Sequence, residues 1–151
     1  MFRKATKADA APLKTLAREV ILHNYTSFLG EDAVNDFIES GAADTEIENG
    51  IESCIVMVEQ DGIIGFAITN DNLLHLLMVA VKYQRKGYGE KLLAFIELQM
   101  FHSHDSLELQ TFQDNIAANR FYGKNGWMIT KEKPQDASPI PIIYYEKRRQ
   151  G

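Results

Sequence analysis

Gln84 to Glu90 reads Q-R-K-G-Y-G-E, and this short stretch carries the clearest chemistry in the chain. It follows an apolar run, Leu73 to Val81, with the character of a buried strand. It opens an amphipathic stretch, Tyr88 to His102, with the period of a helix. A strand turning into a helix through two glycines, with Arg85 and Lys86 beside them, builds an anion cradle. Gly87 and Gly89 let main-chain N–H groups come close to a ligand. The first-turn N–H groups of a helix have no internal acceptor, and the dipole adds roughly half a positive charge at that end. The ligand this pattern suits is a phosphate or pyrophosphate.

A second constellation lies downstream, in N-I-A-A-N-R-F-Y-G-K-N-G-W. Asn115 and Tyr122 sit seven positions apart. On a helix this places them on one face, about two turns or ~10.5 Å from each other. Asn115 stands at the helix start, where its amide can reach a neighbour outside the helix. Tyr122 presents a phenol from the same face, and Ala118 leaves room between the two.

The elements that must position these residues follow from periodicity and turn chemistry. Phe2 to Ala5 reads as a short strand. Thr6 or Asp9 can cap a helix carrying Leu13, Leu16, Val20 and Ile21 on one face, and Asn24 to Gly30 is expected to break it. Glu31 to Ser40 and Ala43 to Glu52 read as helices. Ser53 to Gln60 is β-branched and apolar, and Asp61-Gly62 predicts a hairpin into Ile63 to Asn70. Asp71-Asn72 turns the chain into Leu73 to Val81. After the long helix come a strand at Leu107 to Thr111 and a helix at Asn115 to Asn125, stopped by Gly126 in the C′ position. Trp127 to Lys131 and Ile142 to Lys147 predict two last strands, with Pro134, Pro139 and Pro141 in the loop between them.

Composition bounds the partners. The chain has 151 residues, of which 45% are apolar, enough for one core, and we expect residues 1–151 to form a single domain. A net charge of −5 argues against nucleic acid, since no excess of cations is present to displace phosphate counterions, and suits a cationic acceptor better. The one cysteine, Cys54, excludes an internal disulfide and fits a reducing compartment. No apolar run approaches the ~20 residues needed to span a bilayer, and M-F-R-K-A-T-K-A-D lacks the apolar stretch of a signal peptide. The expectation is a cytoplasmic protein without a membrane partner.

The two motifs together closely resemble the GNAT superfamily of N-acetyltransferases. Q-R-K-G-Y-G is similar to its pyrophosphate signature, (Q/R)-x-x-G-x-(G/A). The second segment is similar to its N-x-x-A-x-x-x-Y-x-x-x-G-(W/F). The resemblance covers Leu73 to Met128 in order and spacing, while the first ~70 residues agree only in element pattern. It implies an α/β fold with a mixed, mostly antiparallel sheet of about six to seven strands and helices on both faces. It also implies that acetyl-CoA lies in a splay between two central parallel strands, here Leu73–Val81 and Leu107–Thr111. Main-chain groups of Leu77, Met78 and Val79 would bond the pantetheine and the thioester oxygen. Gln84, Arg85, Lys86, Gly87, Tyr88, Gly89 and Glu90 would form the pyrophosphate loop, Asn115 would contact the pantetheine arm, and Tyr122 would stand near the sulfur. The implied activity is acetyl transfer to a primary amine of a small molecule or peptide, by direct attack. A coenzyme-binding sensor of the same fold is the alternative. Dimers are common in the family, which makes a homodimer a candidate assembly.

The chemistry fits those residue types. An alkyl amine of pKa ~10.4 is mostly protonated at pH 7, so a proton acceptor or a water chain is wanted. A thiol near ~8.5 is a stronger acid than a phenol near ~10, so Tyr122 serves better as a hydrogen-bond donor to sulfur than as a proton donor. The base stays open among His75, which alternation places on the side of Leu77 and Val79, Glu108, and water. Gln110 occupies the strand position where some relatives place a carboxylate, and Glu108 shares its face. His102 and His104 lack a third ligand, so no metal is expected. Cys54 reads as a small buried hydrophobe. By the resemblance, Tyr25, Phe28 and Leu29 would roof the acceptor pocket.

Overall fold

The computed structural model describes residues 1–60, 62–130 and 140–150. Asp61 of the expected hairpin, Pro134, Pro139 and Lys131 lie outside them. Among the described residues seven strands form one sheet: β1 (Phe2–Lys4), β2 (Cys54–Glu59), β3 (Gly62–Asn70), β4 (Leu73–Val79), β5 (Ser106–Phe112), β6 (Met128–Ile129) and β7 (Ile142–Arg148). Five α-helices among the same residues accompany them: α1 (Ala10–Leu29), α2 (Glu31–Glu39), α3 (Ala42–Gly50), α4 (Tyr88–Phe101) and α5 (Ile116–Lys124). The strand order is β1-β2-β3-β4-β5-β7-β6, and β4–β5 is the parallel pair in an otherwise antiparallel ladder. This is the mixed α/β architecture expected.

Alternation along the strands divides the core between the two faces of the sheet. On one, Leu13, Leu16, Val20 and Ile21 of α1, Val34 of α2 and Ile47 of α3 pack on Val56, Phe66, Ile68 and Met78. On the other, Leu92, Leu93 and Ile96 of α4 and Tyr122 of α5 pack on Ile64, Ala67, Leu74, Leu107 and Leu109. The helices therefore cover both faces, and the middle of the sheet is enclosed.

The expected break at Asn24–Gly30 does not occur. Helix α1 continues to Leu29, and the N–H of Gly30 closes its last bond on Thr26 at 2.9 Å. Tyr25 and Leu29 lie at helical spacing from Ile21 and extend the buried stripe. Thr26 turns its hydroxyl back onto the Leu22 carbonyl at 2.6 Å, so the polar residues of this segment are accommodated within the helix. The stop comes at Gly30, whose φ is 91°. Two strand ends also fall short. β4 finishes at Val79 and hands over to a single 3₁₀ turn at Val81–Tyr83. β6 begins after Trp127, because the Trp127 N–H returns to the Tyr122 carbonyl at 3.0 Å instead of joining the ladder.

Candidate active site

β4 and β5 are held together at one end only. Leu73 pairs with Glu108, the Glu108 N–H donates to Asn72 O at 2.9 Å, and the Asn72 amide donates to Ser106 O at 3.1 Å. Past that point β4 stays with β3 as far as Val79 opposite Gly65, and β5 stays with β7 as far as Phe112 opposite Ile142. Each strand follows its antiparallel neighbour, so a V-shaped gap opens between them. The Ala80 N–H donates to Ile64 O at 2.8 Å, which sets the alternation of the β3–β4 ladder. By that alternation the main-chain groups of Leu76 and Met78 face β3, and those of Leu77 and Val79 face the gap. Of the three residues expected to offer main-chain bonds, Leu77 and Val79 are so oriented, whereas Met78 turns its main chain to β3 and its side chain to the α1 core.

The gap leads to the start of α4. Arg85 and Gly87 both have positive φ, 63° and 88°. At Gly87 this conformation costs nothing, whereas at Arg85 it is unusual for a residue with a side chain. No side chain caps α4. Its first internal bond runs from the Lys91 N–H to Gly87 O at 3.3 Å, so the N–H groups of Tyr88, Gly89 and Glu90 have no acceptor within the helix. Arg85, Lys86 and Gly87 flank them on the surface. A Cβ on Gly89 would lie 3.4 Å from the Phe121 ring, which shows how closely α5 approaches here. Glu90 joins the loop through its N–H, since its carboxylate is engaged with Lys124 of α5 at 2.5 Å. Gln84 reaches back, its amide donating to Val79 O at 2.9 Å.

Helix α5 brings Tyr122 in from the far side. Asn115 is its N-cap, accepting from the Ala118 N–H at 3.2 Å, which leaves the side-chain NH₂ group to donate outward. Tyr122 is 9% exposed and packs at 5.2 to 6.1 Å from the rings of Phe121, Trp127 and Tyr145. Its hydroxyl has no hydrogen-bond partner among the described residues. Burial pushes the phenol well above its ordinary value, and the nearby Tyr25 phenol adds to the effect. A phenol in that state stays protonated and is suited to donating a hydrogen bond.

Asn119 holds this helix in place, a role that the sequence motifs do not announce. Its side-chain oxygen accepts from Thr111 of β5 and Tyr145 of β7, both at 2.7 Å. Its NH₂ group donates to the carbonyls of Phe112, Gln113 and Asn115 at 2.9 to 3.1 Å. One amide thus joins β5, β7 and α5. Its position inside the second motif is the available signal, one turn on from Asn115.

Residues 13–149 match the Acetyltransferase (GNAT) domain family. The chain belongs to that family. Several solved GNAT-type structures share the fold of this domain. The PaiA N-acetyltransferase of Thermoplasma acidophilum, determined in complex with coenzyme A, is 22% identical with a TM-score of 0.82, over 99% of this chain and 98% of that one. A GCN5-related N-acetyltransferase from Rhodopseudomonas palustris is 15% identical with a TM-score of 0.81, over 99% and 95%. YncA of Salmonella typhimurium, determined with its cofactor acetyl-CoA, is 20% identical with a TM-score of 0.68, over 98% and 92%. No curated protein sequence matches the chain significantly.

The other candidates of the GNAT domain separate clearly. His75 is not on the side of Leu77. The β3–β4 register slips between Ile68 and Thr69, and the bulge turns His75 to the α1–α3 face together with Leu76 and Met78, while Leu74 and Leu77 face α4. There its Nε2 lies 3.5 Å from Glu46 Oε1. Glu108 and Gln110 are both exposed, Glu108 at the closed end of the gap and Gln110 further into it. Cys54 is 1% exposed, and burial, with Asp9 nearby, pushes its thiol up to about 12, which removes it as a nucleophile. Among the described residues no group of three or more His, Cys, Asp or Glu is arranged to hold a metal ion. None of the described helices is long and apolar enough to cross a membrane.

Tyr25 and Phe28 stand over the open end of β5. Their rings lie 6.0 and 5.9 Å from Phe112, and 5.5 Å from each other. Two surface hollows, of about 370 and 440 Å³, lie elsewhere and include none of the gap residues.

Proposed function

We propose that this domain, residues 1–151, transfers the acetyl group of acetyl-CoA to a primary amine by direct attack. The observation that carries the reading is the gap between β4 and β5, which runs from the unpaired strand edge of Leu77 and Val79 to the uncapped start of α4. Relatives of the same fold were determined with coenzyme A or acetyl-CoA.

In this reading the pyrophosphate rests on the N–H groups of Tyr88, Gly89 and Glu90, with Arg85 and Lys86 supplying positive charge. The pantetheine arm runs along Leu77 and Val79 and meets the Asn115 amide. An N–H of the β4 edge polarises the thioester carbonyl and stabilises the oxyanion as the amine adds. Tyr122 donates a hydrogen bond to the departing sulfur. Its raised pKa makes full proton transfer to a thiolate less favourable still, so water returns that proton.

The test is thiol release from acetyl-CoA in the presence of a panel of small amines and basic peptides. Release that depends on one acceptor establishes the transferase and names the acceptor. Coenzyme-dependent thermal stabilisation without release on any acceptor would support a coenzyme sensor instead. An absence of both would overturn the site.

A further inference from the structure

Helix α3 turns one face to the sheet, with Ala43 and Ile47 buried and Gly50 against Ile68. Glu46 falls on that face, since positions 43, 46, 47 and 50 are neighbours at helical spacing. A carboxylate there calls for an explanation. The other two acids of the helix are neutralised by α1: Asp44 takes a two-pronged contact from Arg18 at 2.9 and 2.5 Å, and Glu48 takes Lys14 at 2.7 Å. Among the described residues Glu46 has no lysine or arginine partner. Its ion-pairing partner is the His75 imidazole at 3.5 Å, and both side chains keep about two-fifths of their surface open, 40% and 41%.

The bulge in β4 is what brings His75 to this carboxylate, two positions before the gap-facing edge begins at Leu77. The neighbouring surface is aromatic. Tyr25, Phe28 and Phe112 have their rings together at the open end of the gap. The negative charge of Glu46 is close enough to Tyr25 to add to the effect of burial in raising that phenol. An unneutralised carboxylate beside aromatic surface is a receiver for an organic cation.

We propose that Glu46 and His75 form the acceptor subsite, Glu46 holding the ammonium charge of the incoming amine and His75 taking its proton. This rests on the transferase reading above and names the acceptor class, an alkylammonium with an apolar or aromatic body. The protons balance. The ammonium gives one to the His75 imidazole, which passes it to solvent through its exposed edge. The amine nitrogen forms its bond to the acetyl carbon, the carbon–sulfur bond breaks, and the second proton goes from the nitrogen through water to the thiolate. Glu46 of α3 is the acid paired with His75, its charge also reaches Tyr25 of α1, and Glu108 lies exposed on β5. Arg18 and Lys14 are occupied by Asp44 and Glu48.

The experiment uses the whole chain saturated with coenzyme A, a non-reacting state, titrated calorimetrically with butylamine, benzylamine and 2-phenylethylamine. Benzyl alcohol and 2-phenylethanol serve as neutral counterparts. At least one amine binds more tightly than its alcohol. Glu46→Gln weakens that amine about tenfold while leaving the alcohol and coenzyme A within about twofold. With the same amine as acceptor, His75→Gln lowers kcat about tenfold or more while coenzyme A affinity is retained. Equal amine affinity in Glu46→Gln, or no amine binding to a protein that does bind coenzyme A, overturns the proposal and leaves the coenzyme site standing. Failure of the wild-type chain to bind coenzyme A overturns both.

Discussion

The side-chain amide of Gln84 donates to the carbonyl of Val79 at 2.9 Å, which ties the loop before α4 to the strand edge beside the gap. The Val79 carbonyl points away from β3 and would otherwise have no partner in the sheet. Gln84→Leu removes the donor and frees the loop. We expect coenzyme A affinity to fall about fivefold, corresponding to ~1 kcal/mol for a lost hydrogen bond. Calorimetric titration checks this, and unchanged affinity would separate the loop from the site.

The two glycines of the signature differ in what they do. Gly87 has φ 88° with no atom within 4 Å of where a methyl group would stand, so Gly87→Ala costs ~1 kcal/mol through backbone strain alone. At Gly89 the Phe121 ring is 3.4 Å from that position, so Gly89→Val pushes α5 away from α4. Thermal unfolding of both variants, with and without coenzyme A, should show Gly89→Val losing more of the ligand-induced stabilisation.

Tyr122→Phe leaves the ring packing against Trp127 and Tyr145 and removes a hydroxyl that has no partner among the described residues. Stability should change little. If the hydroxyl donates to sulfur, kcat falls about tenfold to a hundredfold with coenzyme affinity retained. Because burial raises the phenol pKa, its ionisation should put no limb in the rate profile below about pH 10, the ordinary phenol value. Complete loss of turnover would favour obligatory proton transfer.

Asn119→Ala deprives the Thr111 and Tyr145 hydroxyls of their shared acceptor and three carbonyls of their donor. A loss of ~2 kcal/mol is expected in chemical denaturation, with a lower kcat because Tyr122 is no longer held against β5. Asn119→Asp keeps the acceptor but loses the donor, and should fall between.

Asp9 joins the first strand to α1, accepting from Arg3 at 2.8 and 3.1 Å and from the Thr6 N–H at 2.7 Å. The Arg3 bond, then the Thr6 backbone bond, hold its carboxyl at about 2, below the ordinary value of 3.8. A lowered folded-state pKa stabilises the protein above the unfolded value and stops doing so as pH falls through the folded one. The melting temperature should therefore drop between about pH 4 and pH 2, and Asp9→Asn should flatten that part of the curve. With Arg3 partly exposed, solvent screening keeps this contribution small.

Much of the fold is legible in the sequence because its signals are local. The strand-to-helix turn at Gln84–Glu90, the spacing of Asn115 and Tyr122, and Gly126 after α5 each depend on a few successive residues and their backbone preferences. The acetyltransferase resemblance rests on those same segments. The break expected at Asn24–Gly30 does not form. Its polar residues have the composition of a turn, yet Tyr25 and Leu29 gain more by burial on the sheet than the segment loses by staying helical.

What the amino-acid order determined by itself was the order of the elements, the glycine-containing turn into α4 and the family. Helix period, strand alternation and the demands of positive φ are written over short spans of neighbouring residues. Only the tertiary structure decided that β4 and β5 part after Leu73 and Glu108, that a bulge turns His75 away from Leu77 toward Glu46, and that Asn119 joins three elements. Each of these depends on how two strands are pulled by different antiparallel neighbours, or on side chains that meet across 26 to 29 positions of chain. Pairing energies of that kind are settled by register and packing, which no local run of residues encodes.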